Sequence, residues 1–323
     1  MTKLKLMSKK NTIKIINLIF SLIFLIVHSS FASTDNSDFM VTTITENVYS
    51  IVSPSKGLPT PKNKGWNSNI HFVVTKEGVL LFDSGSSESI GLKIKKAIKS
   101  ITDQPVRWII NSHSHADHWL GNAAFTNTVF EIITSSKALA TMKEHGQPSL
   151  DFYFKVTKGT IGSTQLVYPT VILMQGIKRN FGGIDVEIIL SNDGHSPGDI
   201  LIWLPKQKII IGGDVLSSDW MPIITGHGNI PNLIKTLNTV AKLNPTIVLT
   251  GHGKATNVES VTRDAGLLSS IWEKVKSDYE KGGKPNETLK DIRTKLNPKY
   301  KTLYKDFELE IERHVNLMYE LQH

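Results

Sequence analysis

The sequence predicts a layered α/β protein, and two observations carry this prediction. Short runs rich in β-branched and aromatic residues alternate with longer segments whose apolar residues recur at helical spacing. The 323 residues are 40% hydrophobic and 20% charged, which is typical of a globular protein with a sizeable buried core. Strands and helices in alternation pack as layers, but periodicity alone leaves the order of the layers open.

The elements follow from these patterns in chain order. Strands are predicted at Met40–Thr45, Val48–Val52, Ile70–Thr75, Gly78–Phe82, Val106–Ile110, Val129–Thr134, Glu187–Leu190, Ile200–Leu204, Lys208–Ile211 and Thr246–Thr250. Helices are predicted at Glu88–Ile101, Ser136–Glu144 and Ile230–Leu243, and from Glu259 onward with breaks at 282–285 and near Pro298. The segment Ser53–Trp66 is rich in Pro, Gly, Lys and Asn, which predicts an exposed loop.

Residues 1–32 have the three-part layout of a secretory signal peptide. Five lysines precede an apolar run, Ile15–Val27. Small residues at Ser30 and Ala32 then favour a cut after Ala32. The alternative is an uncleaved membrane anchor, but a bilayer span needs about 20 apolar residues and this run is shorter. We therefore expect a periplasmic or secreted protein with no stable membrane association after cleavage.

Export also changes what the composition indicates about partners. The five lysines leave with no acidic residue, so the formal charge falls from +8 for the full chain to +3 for the mature one. A charge of that size gives no case for a nucleic-acid partner, and we expect a small-molecule substrate. The chain has no Cys, which excludes disulfides, Cys-ligated zinc and thiol catalysis.

The most specific motif is His-Ser-His-Ala-Asp-His at residues 113–118, directly after a predicted strand. In an extended chain the side chains at i and i+2 point the same way, so His113 and His115 can converge on one metal ion. A helix beginning after the motif turns the chain and aims Asp117 and His118 at a second point nearby. Imidazole and carboxylate donors without thiolate suit a hydrolytic Zn²⁺ site. The alternative is a polar loop that is rich in His by chance.

Three further segments have the character to complete such a site. His195, Asp214 and His252 each lie beside glycine, close to the end of a predicted strand. Glycine lets the backbone approach a crowded centre closely, and a carboxylate at position 214 could bridge two cations. Together with the motif, these residues supply five His and two Asp, which is enough for two metal ions.

This order of ligands resembles the metallo-β-lactamase superfamily over residues 40–254. The resemblance implies an αββα sandwich with the metals at one edge, between the two sheets. It implies a catalytic domain at 33–256 after the signal peptide, with a helical extension at 257–323 packed on it. We expect that extension to be a solvated amphipathic cover rather than a partner-binding module.

The resemblance also implies how the ligands are grouped around two zinc ions per chain. The first zinc would be held by His113, His115 and His195, the second by Asp117, His118 and His252, and Asp214 would bridge them. Asp83 matches an aspartate that supports the ligands from behind; the alternative for Asp83 is a turn residue that caps a strand end.

The implied reaction is hydrolysis without a covalent intermediate. Two cations lower the pKa of a shared water, so that hydroxide is available near neutral pH, and Asp117 is the candidate catalytic residue that orients it. The substrate class is a small cyclic amide, lactone or ester. Asp214 and Ser217 stand where β-lactamases of wide range have Cys and Lys, which looks more like glyoxalase II and the lactonases. The alternatives are therefore a thioester hydrolase of glyoxalase II type and a mononuclear iron enzyme similar to persulfide dioxygenases.

Four side chains are candidates for contact with substrate. Trp66 ends the predicted loop that would lie over the site, and Trp119 directly follows the ligand motif. Trp220 and His227 lie in the segment after Asp214, on the metal side of the implied fold. The alternatives are packing roles for the tryptophans and a solvated loop position for His227.

Overall fold

A computed structural model describes residues 39–54 and 59–322. The predicted signal peptide therefore lies outside the described residues, and so do residues 55–58 of the predicted loop. No helix in the described ranges combines the length and the apolar character needed to cross a bilayer.

The first sheet has seven strands, which lie side by side in the order in which they occur along the chain. They are β1 (Val41–Thr43), β2 (Val48–Ile51), β3 (Ile70–Val74), β4 (Val79–Phe82), β5 (Val106–Ile110), β6 (Glu131–Ser135) and β7 (Val171–Leu173). Strands β1 to β4 pair antiparallel, and β4 to β7 pair parallel. The parallel half brings the carboxyl ends of β4 and β5 to one edge of the sheet.

The second sheet has five strands in the order β12-β11-β10-β9-β8. They are β8 (Ile177–Phe181), β9 (Ile184–Ser191), β10 (Asp199–Leu204), β11 (Ile209–Ile211) and β12 (Ile247–Leu249). Strand β10 pairs antiparallel with both β9 and β11, and β11 pairs parallel with β12. The carboxyl ends of β9, β11 and β12 therefore share one edge.

Residues 39–54 and 59–322 contain seven α-helices, most of which cover the sheets. They are α1 (Glu88–Lys99), α2 (Ala116–Trp119), α3 (Ser136–Val156), α4 (Ile230–Leu243), α5 (Val258–Glu280), α6 (Pro285–Tyr300) and α7 (Phe307–Glu320). Side-chain oxygens of Ser87, Ser135 and Asn229 cap α1, α3 and α4 by accepting a backbone N–H of the first turn.

The sheets face each other across a core that both of them supply. Phe82 and Ile110 of the first sheet meet Ile202 and Ile211 of the second in one buried cluster, and each of these side chains is at most 1% exposed. Burying a side chain of this size contributes about 1.5–3 kcal/mol, so this layer is a major source of stability.

Helices cover the outer face of each sheet, which confirms the αββα sandwich. Ile94 of α1 packs with Leu81 on the first sheet. On the second sheet, Leu201 shares a cluster with Leu237 of α4 and with Ile271 and Ile311 of the C-terminal helices. The predicted C-terminal helices are therefore present, and their apolar faces share one core with the outer face of the second sheet.

The predictions of individual elements differ from the structure at three places. Helix α3 continues from Ser136 to Val156 instead of ending at residue 144. Helix α6 ends at Tyr300, so the break predicted near Pro298 lies two residues further along the chain. Proline removes one helical hydrogen bond, but the buried Tyr300 and its neighbours fix the end of α6 on the core. Strands β7 and β8 were not predicted, because one has three residues and the other is largely polar.

We expect Ile311→Ala to lower the free energy of unfolding by about 2–5 kcal/mol, because Ile311 is 0% exposed in the cluster under the second sheet. The control is Leu309→Ala on the same helix, where the side chain is 68% exposed and the change should stay within about 0.5 kcal/mol. Urea unfolding followed by circular dichroism measures both. Equal stability of the two variants would contradict a shared core.

Candidate metal centre

The candidate ligands lie at the edge where the carboxyl ends of several strands meet. The motif at 113–118 follows β5, and Asp83 follows the neighbouring parallel strand β4. In the second sheet, His195 follows β9, Asp214 follows β11 and His252 follows β12. Five loops from two facing sheets therefore bring their side chains to one place, as the sequence predicts.

Helix α2 turns the chain within the motif. It begins at Ala116, earlier than the predicted start after residue 118, so that Asp117 and His118 lie in its first turn. The backbone N–H of His118 donates to the carbonyl of His115 over 3.0 Å. This turn separates the extended pair, His113 and His115, from the helical pair and directs the two pairs at different points.

The first group of donors consists of three imidazoles and one carboxylate. Nδ1 of His115 lies 2.9 Å from Nε2 of His113 and 3.1 Å from Nε2 of His195. Oδ2 of Asp214 lies 3.6 Å from Nε2 of His195 and 3.9 Å from Nε2 of His113. Nitrogen ligands about 2.0–2.1 Å from one tetrahedral Zn²⁺ are roughly 3.3 Å apart, so these separations fit one shared cation.

The second group consists of Asp117, His118 and His252. Oδ2 of Asp117 lies 3.4 Å from Nε2 of His118 and 3.9 Å from Nε2 of His252. Oδ1 of Asp214 lies 3.2 Å from each of these two imidazole nitrogens. Asp214 therefore directs one carboxylate oxygen at each group, which is the geometry of a bridge.

The unsatisfied atoms of the site indicate what it can hold. Nε2 of His118 and Oδ1 of Asp214 are buried and form no hydrogen bond, although they lie 3.2 Å apart. A buried polar atom without a partner costs about 1–3 kcal/mol, and a bound cation removes that cost by accepting a lone pair from each atom. Nitrogen and oxygen donors in two groups fit two divalent cations.

Asp83 supports the site from behind His118. Its Oδ2 lies 2.7 Å from Nδ1 of His118, and the backbone N–H and hydroxyl of Ser112 donate to its two carboxylate oxygens over 2.7 and 2.8 Å. The Ser112 hydroxyl also lies 2.8 Å from Nδ1 of His113. Bonds at Nδ1 leave Nε2 of both rings free to face the centre, so Asp83 lies where the resemblance implies.

Glycine makes the approach of the last loop possible. A Cβ atom on Gly251 would lie 2.2 Å from Oδ1 of Asp214 and 2.5 Å from the carbonyl carbon of Gly213. Any side chain at position 251 would therefore displace the bridging carboxylate or the backbone beside it.

The electrostatics of the site favour positive charge in the second group. Burial lowers the pKa of His118, but the carboxylates of Asp117, Asp214 and Asp83 outweigh burial and raise it well above its usual value. The pKa of His252 is raised in the same way, mainly by Asp214 against burial.

In the first group, burial and the neighbouring His195 lower the pKa of His115 to about 3, so that ring is neutral. Neutral imidazoles beside buried carboxylates are ready to bind a cation.

The candidate substrate residues divide into buried and accessible ones. Trp66 is 7% exposed, stacks on Phe39 and donates to the Ser68 carbonyl. Trp119 is 0% exposed and donates to the Ser114 carbonyl. Both indoles therefore pack within the protein, as the alternative interpretation of these tryptophans has it. Their contact with substrate stays a prediction.

Trp220 and His227 lie in the loop after Asp214, as expected. Trp220 is half-buried, with Nζ of Lys305 5.3 Å from its ring centroid. His227 is exposed and faces His145 of α3, with 6.3 Å between ring centroids. A contact of these two side chains with substrate stays a prediction.

Tyr153 is a site residue that the sequence did not reveal. It lies on the part of α3 beyond the predicted end, is 7% exposed, and its hydroxyl lies 3.5 Å from Oδ1 of Asp117. Burial and the charges of Asp117 and Asp214 raise the pKa of Tyr153 well above its usual value, so the phenol keeps its proton. It can therefore donate a hydrogen bond to the Asp117 carboxylate.

Comparison with known proteins gives both a sequence and a fold similarity. The model of the metallo-β-lactamase superfamily matches residues 63–252. The metallo-β-lactamase IND-1 from Chryseobacterium indologenes is 26% identical over 231 residues, covering 70% of this chain and 87% of that protein.

Two solved structures share the fold at low sequence identity. A metallo-β-lactamase from Pontibacter korlensis, 22% identical, superposes with a TM-score of 0.56 over 71% of this chain and 98% of its own. The stereoselective inverting sec-alkylsulfatase Pisa1 from Pseudomonas sp., 12% identical, gives 0.64 over 87% of this chain and 50% of its own. The chain thus spans half the length of that sulfatase.

We expect Asp83→Asn to weaken binding of one divalent cation by about 10- to 100-fold, because His118 loses the carboxylate that fixes its ring. The control is Asp103→Asn, an exposed carboxylate that pairs only with Lys99 on the surface. Competition with a chromophoric chelator at fixed pH measures the affinities. Unchanged affinity in Asp83→Asn would show that the carboxylate does not hold the ligand.

Proposed function

Because the chain belongs to the metallo-β-lactamase superfamily, we propose that it is an exported hydrolase with two zinc ions, acting on a small cyclic amide, lactone or ester. The observation that carries this proposal is the Asp214 carboxylate, which directs one oxygen at each of two groups of metal-binding side chains. A single metal ion would bind only one of these two groups.

Zinc is proposed from the chemistry of the donors. Five imidazoles and two carboxylates, without thiolate, match the nitrogen and oxygen ligands that Zn²⁺ takes in hydrolytic sites. When bound, the two ions supply Lewis acidity that activates a water molecule and polarises the bond to be cleaved. This pairing argues against the mononuclear iron alternative, which would leave the second group without an ion.

The chain's own residues would orient the reacting groups. Asp117 has one carboxylate oxygen among the second group of ligands and the other within 3.5 Å of the Tyr153 hydroxyl. A carboxylate held in this way can accept the proton of the attacking water, while the Tyr153 hydroxyl fixes its plane from the other side. No cysteine is present in the sequence, so a covalent thioester intermediate has no source.

The substrate class is supported by the relatives and by the position of the site. IND-1, which is named a metallo-β-lactamase, aligns with 70% of this chain, and this favours a cyclic amide. Asp214 in place of Cys favours a lactone, an ester or the thioester of the glyoxalase II alternative. Trp220 and His227, in the segment after Asp214, are the proposed contacts for such a small molecule. The predicted signal peptide at residues 1–32 supports a periplasmic or secreted enzyme, and the low formal charge of the predicted mature chain supports a small-molecule substrate.

A sulfate ester is a second candidate substrate. The fold of the sec-alkylsulfatase Pisa1 matches 87% of this chain, against 71% for the β-lactamase from Pontibacter korlensis, so the larger match extends beyond the sandwich. A sulfate ester carries an anionic group, which two cations would attract.

A substrate panel on the mature protein tests the proposal. The zinc-loaded enzyme is assayed with nitrocefin, an acyl-homoserine lactone, a glutathione thioester, a phosphodiester and a secondary alkyl sulfate, and its metal content is measured after purification without added metal. Two zinc ions per chain with turnover of nitrocefin or the lactone are expected. One iron per chain, or full metallation with no turnover on the panel, would overturn the proposal; turnover of the alkyl sulfate alone would favour the second candidate.

We expect Asp117→Asn to lower kcat by about 10²- to 10⁴-fold while most of the metal stays bound, because the amide keeps the shape but cannot accept a proton. Asp151→Asn on the exposed side of α3 is the control and should retain wild-type turnover. Steady-state kinetics and metal analysis of the same samples measure both quantities. Undiminished hydrolysis in Asp117→Asn would rule out the carboxylate as the proton acceptor.

A further inference from the structure

The loop 219–225, which follows Asp214, is held by the C-terminal segment 305–314. The backbone N–H of Lys305 donates to the carbonyl of Asp219 over 2.9 Å. The carboxylate of Asp306 accepts from the backbone N–H of Met221 over 3.0 Å. Nε2 of His314 lies 2.8 Å from the carbonyl oxygen of Pro222.

The same loop holds a metal-binding side chain on its other side. The carbonyl oxygen of Ile223 accepts from Nδ1 of His195 over 2.9 Å. The hydroxyl of Thr225 donates to the backbone carbonyl of His195 over 2.7 Å. Pro222 and Ile223 are adjacent, so one peptide unit separates the bond to the C-terminal helix from the bond to the ligand.

The side chains of His314 and Met221 are buried at this contact, which fixes its geometry. His314 and Met221 are each 2% exposed, and Met221 packs in one apolar cluster with Phe307 and Ile311. Both ring nitrogens of His314 face backbone carbonyls, because Nδ1 lies 2.7 Å from the oxygen of Glu310 on its own helix. Polar side chains are rarely buried to this degree without a partner, and the partners of His314 are its own helix and the loop.

We propose that Asp306 and His314 are positioning residues for the metal centre and act through the loop 219–225 on His195. A histidine ligand binds a metal through one nitrogen, and the bond at the other nitrogen fixes the tautomer and the ring orientation. For His195 that bond ends on the Ile223 carbonyl, whose position depends on the C-terminal segment. The inference rests on the proposed pair of cations but not on the substrate.

The effect is specific for one of the two groups of ligands. His195 belongs to the first group with His113 and His115. In the second group, His118 is held by the side chain of Asp83 at the end of β4, and His252 pairs with Ser217 and Ser218, which precede the loop 219–225. Loss of the contacts at 305–314 should therefore weaken the binding of one cation and spare the other.

Two paired variants of the full chain test the proposal. Asp306→Ala with His314→Leu removes the acceptor and the donor, and Leu has a volume similar to that of His. Asp306→Asn with His314→Gln retains both functions. Arg313→Gln is the control, since Arg313 is 72% exposed and pairs with Glu310 on the same helix.

Zinc affinities are measured by competition with a chelator, without substrate, and circular dichroism monitors the fold. Asp306→Ala alone, at a half-buried position, serves if the first pair does not fold.

We expect the Ala/Leu pair to weaken one zinc site by about 10-fold and the other by less than about twofold, with the Asn/Gln pair and Arg313→Gln near wild type. In a His195→Ala background the Ala/Leu pair should have no further effect, because the ring that the loop holds is absent. Equal weakening of both sites, the same loss in the His195→Ala background, or wild-type affinities would overturn the proposal. A protein that binds two zinc ions but hydrolyses nothing on the panel would refute the proposed function and leave this test intact.

Discussion

The structure depends on how it keeps three carboxylates buried at one edge of the sandwich. Asp83, Asp117 and Asp214 are each at most 6% exposed, and burial of an unpaired carboxylate costs several kcal/mol. Imidazoles from both sheets surround them, and two cations would complete the neutralisation. The αββα arrangement serves this requirement, because it is the packing of two sheets that brings the carboxyl ends of β4, β5, β9, β11 and β12 to the same place.

The sequence was informative where chemistry and spacing coincide. The motif at 113–118 and the glycine-flanked His195, Asp214 and His252 predicted a site of seven donors, and the structure brings all seven together. Strand β5 was predicted with the observed bounds, because Val106–Ile110 is a buried apolar run that ends at polar residues. Local pattern is sufficient in both cases, since the signal lies within a few consecutive residues.

The features that were missed depend on contacts between distant segments. Tyr153 reaches Asp117 only because α3 continues beyond Gly146 and Pro148, and nothing local favours a helix across that pair. Trp66 and Trp119 belong to the interior because Phe39 and Tyr168 stack on them, which spacing does not reveal. The periodicity of α7 predicts a buried face but not its partner, so the contact with the loop 219–225 was not predicted either.

The two sheets support their ligands in different ways, and this difference gives the C-terminal helices their place in the molecule. In the first sheet, His118 is fixed by the Asp83 side chain, and Asp83 itself follows a strand without an intervening loop. In the second sheet, the ring of His195 bonds to the backbone carbonyl of Ile223. Ile223 lies in an irregular segment that no strand pairing holds in place. Irregular chain acquires a fixed geometry only from what packs against it. The helices after residue 257 supply that packing, so they complete the sandwich as a support for the metal centre rather than only covering its face.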